Sequence, residues 1–438
     1  METGQIFPND HISFHLKYIR YNGMVRLIYL ERSFSSMSEA PTGKNRLGLA
    51  LLLGSLAAFG PLTIDMYLPS FPAIAEDLNT NASLVQVSLT SCLIGLGLGQ
   101  LVIGPLSDVQ GRRQPLLICL GLYMIASLLC ALAPNIGLFI AGRFMQGLAA
   151  SAGIVISRAV VRDLYTGREL TKFFSLLVLV NGLAPILAPL IGGGILTFTN
   201  WNGIFFVLSS LGVIMLFIVF WKLKETLPSE NKTPNNIGHT VKNFLGLMTD
   251  RQFTGYALVQ GFMMAGIFAY VAGTPFVYQN IYLVSPQTFS ILFGMNGIGL
   301  IIGSQIVGRY AGMIPEKKLL QTGLILSNIA SMTLLIMILA EGPLFSIAIP
   351  IFVIVSCIGI TGTTSFSLAM ETQGHRAGSA SALLGLLPFL LGAISAPLVG
   401  IAGENTAFPM GVIIFLTNLA AIVAFFGLAR TKQHSVSG

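Results

Sequence analysis

Two apolar runs joined by a short charged loop decide how this chain folds. Residues 83–103 read SLVQVSLTSCLIGLGLGQLVI, residues 104–113 read GPLSDVQGRR, and residues 114–133 read QPLLICLGLYMIASLLCALA. A helix of about 20 apolar residues crosses the hydrocarbon core of a bilayer. The stretch therefore predicts two membrane-spanning helices connected by a loop that carries basic residues.

The rest of the chain is also rich in apolar residues and poor in charged ones. Of its 438 residues, 54% are hydrophobic and 9% are charged, and the mean hydropathy is +0.79. Soluble domains carry about 25% charged residues, so this composition excludes a soluble multidomain protein. The net charge of +7 is spread in short clusters between apolar runs, which does not indicate a nucleic-acid-binding surface. The four cysteines all lie in apolar stretches, so a disulfide scaffold is excluded as well.

Apolar runs of spanning length recur twelve times. We predict an all-α integral membrane protein with twelve transmembrane helices in two six-helix bundles. The predicted spans are 47–69, 83–106, 115–133, 137–160, 172–197, 201–222, 252–279, 286–310, 318–340, 343–366, 378–401 and 407–429.

The basic residues predict the orientation of these spans. With the N-terminus placed inside, every Lys and Arg between spans falls in an inner loop, and the outer loops carry only Glu76, Asp77, Glu341 and Glu404. Loops rich in Lys and Arg stay in the cytoplasm. Both termini are therefore expected to be cytoplasmic.

A polar stretch and an internal repeat divide the chain into halves. Residues 94–104 and 298–308 share five of eleven positions at an offset of 204. Two parallel six-helix repeats are typical of secondary transporters, whose substrate site lies between the halves. The predicted segments are an N-terminal extension over 1–45, bundles over 46–223 and 251–430, a cytoplasmic linker over 224–250 and a tail over 431–438.

The first 36 residues do not fit the predicted arrangement of membrane spans. They lack the apolar region and cleavage site of a signal peptide. One hypothesis is that translation starts at Met37 and the upstream stretch is an annotation artefact. The alternative is a basic, aromatic tail that lies on the membrane surface.

Ionisable residues inside the spans are candidates for function, because they are costly to place in a membrane. Asp65 in the first span is the candidate proton-carrying group; the alternatives are that it is hydrated near the outer surface or caps the kink before Pro69. Arg143 in the fourth span biases a nearby acid or holds substrate through a hydrogen-bond relay with Gln146; the alternative is a structural arginine that snorkels or locks helices together. Glu371 is interpreted as a structural acid at a loop edge, paired with Arg376. Further polar residues are candidates for lining a substrate cavity: Tyr67, Gln146, Asn181, Gln260 and Asn296.

Two motifs indicate segments that take part in a conformational change. The 104–113 loop carries Gly104, Asp108, Gly111, Arg112 and Arg113. Its charges suit a lock that holds one conformation, although a simple two-arginine topology anchor is the alternative. The fifth span carries Pro185, Pro189, Gly192 and Gly193, which suit a bent and closely packed helix; a generic proline kink is the alternative.

These motifs resemble those of a known family. GPLSDxxGRR resembles motif A of the major facilitator superfamily, Arg143 with Gln146 and Gly147 resembles its motif B, and Pro189 with Gly192 and Gly193 resembles its antiporter motif C. Within that superfamily, LTIDMYLP at 62–69, SRAVVRDLY at 157–165 and HRAGSASAL at 375–383 resemble the Bcr/CflA, or bicyclomycin-resistance type, drug:proton antiporters. Val109 and Ala188 depart from the usual patterns.

The resemblance implies a function. Asp65 is then the proton-linked carboxylate, Arg143 takes part in coupling, and Asp108 with Arg112 forms a cytoplasmic gate. The expected protein is a multi-pass, monomeric antiporter of a bacterial-type inner membrane. It exports bicyclomycin-like, phenicol-like or sulfonamide-like drugs, and it uses protons as coupling ion without a cofactor.

Other functions fit the sequence less well. An importer or exporter of a small metabolite on the same fold is the first alternative, and the sparse intramembrane charge disfavours a strongly ionic substrate. A membrane enzyme or a channel is the second. No catalytic constellation, ATP-binding loop of the form GxxxxGK[ST] or selectivity filter is recognisable.

Overall fold

The computed structural model describes residues 20–21, 24–25, 43–165, 167–227, 246–310, 312–371, 373 and 377–429. They fall into two compact units, Met1–Ser38 and Glu39–Gly438. In the first unit, the two-residue strands β1, Arg20–Tyr21, and β2, Met24–Val25, pair antiparallel.

The second unit is all-helical. Its described residues contain twelve long helices, which confirms the predicted membrane fold, and eleven of these are long and apolar enough to cross a bilayer. Their bounds are α1 Gly43–Asp65, α2 Ala82–Gln110, α3 Arg113–Ala131, α4 Ile136–Leu164, α5 Gly167–Ile195, α6 Trp201–Lys222, α7 Arg251–Phe276, α8 Pro286–Tyr310, α9 Glu316–Leu339, α10 Leu344–Met370, α11 Ala377–Leu398 and α12 Phe408–Ala424. The described apolar segment of the remaining helix, α5, is Gly182–Ile195.

Some helices end at residues other than the predicted limits of the spans, because backbone hydrogen bonding and not hydropathy determines where a helix ends. The helix α1 stops at Asp65, and a 3-10 turn, Leu68–Ser70, and a short helix, Phe71–Asp77, follow it. Pro69 lies in the first turn of the 3-10 segment, where its missing N–H leaves no hydrogen bond unmade. Conversely, α4 continues to Leu164, four residues beyond the predicted limit, because a helix does not end where its side chains become polar. Two π-helical turns, Val277–Ile281 and Phe425–Ala429, extend α7 and α12.

Side-chain caps fix several helix starts. Asn81 Oδ1 accepts a hydrogen bond from the Leu84 N–H at 3.0 Å, and Asn135 Oδ1 accepts one from Leu138 at 2.9 Å. Asp250 accepts from the first turn of α7. Each cap satisfies a backbone donor that the helix itself leaves free.

The two halves repeat the same helix pairing. In the first half α1 packs on α5, α2 on α4, and α3 on α6; in the second half α7 packs on α11, α8 on α10, and α9 on α12. Glycines permit the close approaches. A Cβ added at Gly95 of α2 would clash with the backbone of α4 at Phe144 and Leu148, and one at Gly303 of α8 would clash with the backbone of α10 at Ser356. The internal repeat in the sequence therefore corresponds to a repeat in packing.

The halves meet along α2 with α11 and α5 with α8. We call the helix ends next to the 104–113 loop the inner ends, as the charges predict, and the opposite ends the outer ends. Among the described residues, three hydrogen bonds join the halves: Gln86 Nε2 to Ala272 O at 3.1 Å, Gln279 Nε2 to Pro69 O at 3.1 Å, and Gln287 Nε2 to Gly193 O at 3.4 Å. All three lie at the outer ends. The predicted linker falls largely on 228–245, outside the described residues, so the predicted domain boundaries stay predictions.

Candidate functional site

Asp65 lies at the end of α1, between the two halves. Its exposed fraction is 6%, and it makes no hydrogen bond or ion pair with any residue that the structure describes. Its carboxylate lies within electrostatic range of Tyr270 on α7, whose hydroxyl accepts a hydrogen bond from Asn296 Nδ2 at 2.8 Å. Tyr270 also stacks on Phe293, with ring centroids 5.2 Å apart. A carboxylate of one half thus lies close enough to a polar, aromatic group of the other half to interact with it electrostatically.

Arg143 is fully buried inside the first half. It donates to Gln146 Oε1 and, at 2.8 Å, to the carbonyl oxygen of Thr63, two residues before Asp65. Its guanidinium lies 4.1 Å from the centre of the Tyr67 ring and 5.6 Å from that of Phe205. No carboxylate of the described residues pairs with it. Carbonyl, amide and aromatic faces therefore hold this charge, in the manner expected of a stacked arginine.

The Arg143 network extends through α3. Gln146 Nε2 donates to Ser127 Oγ at 2.8 Å, and Tyr123 Oη lies 2.9 Å from Thr63 Oγ1. The network fixes the last two turns of α1, so Arg143 and Asp65 are linked through the backbone of α1 rather than by an ion pair. Tyr67 and Gln146, which the sequence suggested as cavity residues, are fully buried in this network.

Residues 104–113, which were predicted as a loop, form a second polar cluster at the inner ends. Residues 104–110 complete α2, and α3 begins at Arg113, so most of this segment is helical. Arg112 donates to Asp108 Oδ1 at 2.5 Å, to Ser107 Oγ at 2.8 Å, and to Asp163 of α4 at 2.9 Å. Arg112 is 5% exposed, whereas the Asp108 side chain is 47% exposed. The expected contact between Asp108 and Arg112 is present, and Asp163 adds a second carboxylate. The cluster ties α2, α3 and α4 together at one point.

Glu225 closes this cluster from the segment after α6, and it was not among the candidates named from the sequence. Its carboxylate accepts backbone hydrogen bonds from Arg112 at 2.8 Å, Arg113 at 3.1 Å, Thr226 at 3.0 Å and Leu227 at 3.1 Å. Partial burial raises its pKa, but the four backbone donors outweigh that and hold the pKa below the usual value. Gly111, at φ +103°, leaves the space that Glu225 occupies, since a Cβ there would lie 2.7 Å from Glu225 Cδ.

A signal for Glu225 and Asp163 did exist in the sequence. Both are carboxylates that directly follow or end a helix on the inner side, where the arginines of the 104–113 loop also lie. Helices of the same half bring their inner ends together, so acids at those ends are the available partners for Arg112 and Arg113. Arg113 Nη2 instead donates to Phe220 O at 2.6 Å.

The proline-containing helix α5 contacts both halves at adjacent residues. A Cβ at Gly192 would clash with the carbonyl oxygen of Met66, the residue after Asp65. One at Gly193 would clash with Ser290 Oγ of α8. Pro189 is buried and Pro185 is partly exposed on the same helix. The close packing predicted for this motif is present, and it places α5 against the end of α1 that carries Asp65.

The remaining candidates are placed as follows. Gln260 on α7 is partly exposed, and its Oε1 atom is buried without a hydrogen-bond partner among the described residues. Asn296 joins the Asp65 and Tyr270 group, as described. The Asn181 side chain lies outside the described residues. So does Arg376, and its pairing with Glu371 stays a prediction.

Comparison with known proteins decides the family. The sequence model of the Major Facilitator Superfamily matches residues 51–397. This chain belongs to the major facilitator superfamily. It is 57% identical over 398 residues to an uncharacterized MFS-type transporter of Bacillus subtilis, covering 90% of this chain and 99% of that protein. Membership makes it a membrane transporter rather than an enzyme.

More distant similarities agree. The chain is 33% identical over 385 residues to a bicyclomycin resistance protein homologue of Haemophilus influenzae, covering 88% of this chain and 97% of that protein. This confirms the resemblance to the bicyclomycin-resistance type drawn from the motifs. The crystal structure of a D-xylose–proton symporter superposes with a TM-score of 0.70 at 16% identity, covering 87% and 97% of the two chains, which shows the fold alone. As a superfamily transporter the chain acts on a small molecule across a membrane.

Proposed function

We propose that this chain exports small amphiphilic antibiotics, of the bicyclomycin, phenicol or sulfonamide kind, in exchange for protons. The observation that carries the proposal is Asp65: a buried carboxylate between the halves, without a hydrogen-bond or ion-pair partner among the described residues. The similarity to a bicyclomycin resistance homologue supports the drug class. The location is the inner membrane of a bacterial-type cell, with both termini in the cytoplasm.

The proposed cycle uses the two halves as rocking bodies. When the outer ends separate, Asp65 takes a proton from outside. When the outer ends close, as in the structure, Asp65 communicates with the inner side and releases the proton there, while the drug binds from the cytoplasm or the inner leaflet. Arg143 holds the carbonyl of Thr63 and so keeps the end of α1 in place during both steps.

Proton movement supplies enough energy for such a cycle. One charge moving through 100 mV is worth about 2.3 kcal/mol. A tenfold concentration ratio needs about 1.4 kcal/mol, so one proton sustains about a fifty-fold gradient of a neutral drug.

The test is drug-driven proton release in inside-out vesicles. With a respiration-generated pH gradient, addition of chloramphenicol or bicyclomycin to vesicles with the wild-type chain should release protons from the lumen. Asp65→Asn should abolish that release, because the amide exchanges no proton. Glu371→Gln is the matched control: it neutralises an exposed acid at the end of α10 and should leave release intact.

Two results would contradict the proposal. If the wild-type chain moves neither drug, the substrate class is wrong and the metabolite carrier becomes the better description. If Asp65→Asn releases protons as fast as wild type, the coupling residue lies elsewhere.

A further inference from the structure

A pair of arginines on α4 was not recognised as a site in the sequence. Arg158 and Arg162 lie one helical turn apart, near the inner end of α4. Between Gln146 and Tyr165 they are the only exposed residues, and every other residue of that stretch is buried or partly buried. The inner half of α4 is therefore enclosed except at two cationic side chains on one face.

The exposed pair lies on a helix that packs closely within its own half. The helix α4 packs against α1, α2 and α3 of its own half. One turn before Arg158, Ile154 lies against Gly60 of α1 and Val155 against Gly104 of α2. Arg158 and Arg162 stay exposed next to these packed residues. The described hydrogen bonds between the halves all lie at the opposite, outer ends, so the arginine pair lies on the side where none of them joins the halves.

Neither arginine has an acidic partner among the described residues. The nearest acid along the chain, Asp163, is held by Arg112 and by Thr226 Oγ1, the latter at 3.2 Å. Glu169 pairs with Arg46. Like charges one turn apart repel each other, and a bound anion relieves that repulsion. Arginine is also well suited to carboxylate-like groups, which its guanidinium binds with two parallel hydrogen bonds.

We propose that Arg158 and Arg162 form an anion-binding site on the inner wall of the substrate cleft. The substrates it selects are amphiphiles that carry one anionic or strongly accepting group, such as a sulfonamide anion, a carboxylate or a phenolate. This proposal specifies the substrates of the proposed drug export, and its statement about substrates rests on that function. The sequence analysis found few charges inside the membrane and did not count these two arginines. With them included, a substrate that carries a single negative charge is permitted.

The first test measures the local electrostatics without any drug. A reporter, Val155→Cys, is placed one turn from Arg158 in the full-length protein in lipid vesicles. Its reaction rates with an anionic reagent, sulfonatoethyl methanethiosulfonate, and a cationic one, trimethylammonioethyl methanethiosulfonate, are compared. The anionic rate should exceed the cationic rate at least about tenfold at low salt, and Arg158→Gln with Arg162→Gln should reduce the ratio to near one.

Controls separate this site from general charge and from lipid. Arg251→Gln removes a cation at the inner end of α7, where it donates to Gly427 O at 3.3 Å, and should leave the ratio unchanged. The four native cysteines are buried, and the chain without the reporter measures their background. The proposal is overturned if the reporter reacts with neither reagent or if the double variant keeps the wild-type ratio. It is also overturned if the ratio approaches one in vesicles that contain phosphatidylglycerol, because lipid headgroups then occupy the arginines.

The second test asks for substrate selection. Export of sulfamethoxazole, an anion at neutral pH, is compared with export of chloramphenicol, which is neutral. The ratio of the two should fall at least about fivefold in Arg158→Gln, and an unchanged ratio contradicts the site's role in selection. If the wild-type chain exports neither compound, the proposed drug export has failed, whereas the reagent test still decides whether the anion site exists.

Discussion

Replacing three glutamines at the outer ends by methionine removes every hydrogen bond that joins the halves among the described residues. Gln86, Gln279 and Gln287 each donate to a backbone carbonyl of the other half, over 3.1, 3.1 and 3.4 Å. Methionine has nearly the same length and flexibility but no donor. The variant therefore tests how much these bonds contribute to closing the outer side.

The magnitude follows from the bonds themselves. A hydrogen bond that exchanges with water is worth about 1 kcal/mol net, so the three together contribute about 3 kcal/mol. Since 1.4 kcal/mol is a factor of ten, the triple variant should shift the equilibrium toward the outer-open form by about two orders of magnitude. Each single variant should shift it about fivefold, with Gln287→Met the weakest because its bond is longest. The bonds join neutral groups, so the shift should not depend on pH.

Spin-label distances at the outer ends report this equilibrium. Phe198 and Leu283 are 93% and 84% exposed and lie in different halves, so Phe198→Cys with Leu283→Cys accepts a label on each side. The triple variant should lengthen the distance distribution, whereas Gln321→Met on α9, which makes no contact between the halves, should not. If the triple variant gives the same distribution as its labelled parent, the outer ends are held by apolar packing and the reasoning is refuted.

Two further predictions concern single contacts. Gly192→Ala should destabilise the fold by about 1–3 kcal/mol and impair transport, because its methyl group meets the Met66 carbonyl, whereas Gly194→Ala on the same helix meets nothing within 4 Å and should be neutral in thermal unfolding. Glu225→Gln should lower the unfolding temperature at neutral pH. Because the folded-state pKa of Glu225 is below its ordinary value, its contribution is fully present above about pH 4.3 and is lost as the pH falls through the folded pKa. The difference between wild type and Glu225→Gln should therefore shrink as the pH falls; a difference that does not change with pH would show that the backbone bonds do not depend on the charge.

Much of the fold was predictable because membrane helices are marked by long apolar runs. All twelve were located from hydropathy alone, and the repeat between residues 94–104 and 298–308 corresponds to the repeated pairing of α2 with α4 and α8 with α10. Helix ends were less predictable. Hydropathy falls where charge begins, whereas the hydrogen bonds of α4 continue to Leu164. That difference of one turn placed Arg162 in a predicted loop, whereas Arg158 lies within the predicted span and was overlooked.

The residue types of the site could be predicted from the sequence, but the residues that they contact could not. Asp65 and Arg143 stood out as charges inside apolar runs, yet nothing in the sequence indicated that Arg143 contacts a carbonyl of α1 instead of an acid. Tyr270 is one tyrosine among eleven and became recognisable only when α7 was placed opposite Asp65. Glu225 was missed for the same reason, since its partners are backbone N–H groups, which every residue except proline carries.

The acceptor in each of the three outer hydrogen bonds is a backbone carbonyl oxygen, and this affects which residues can change as the transporter evolves. A carbonyl oxygen is present whichever side chain occupies positions 69 and 272, so drift at those positions leaves the contact available. At these two contacts, selection to keep the hydrogen bond falls on the glutamines, and descendants with altered substrate ranges are free to vary the side chains that oppose them.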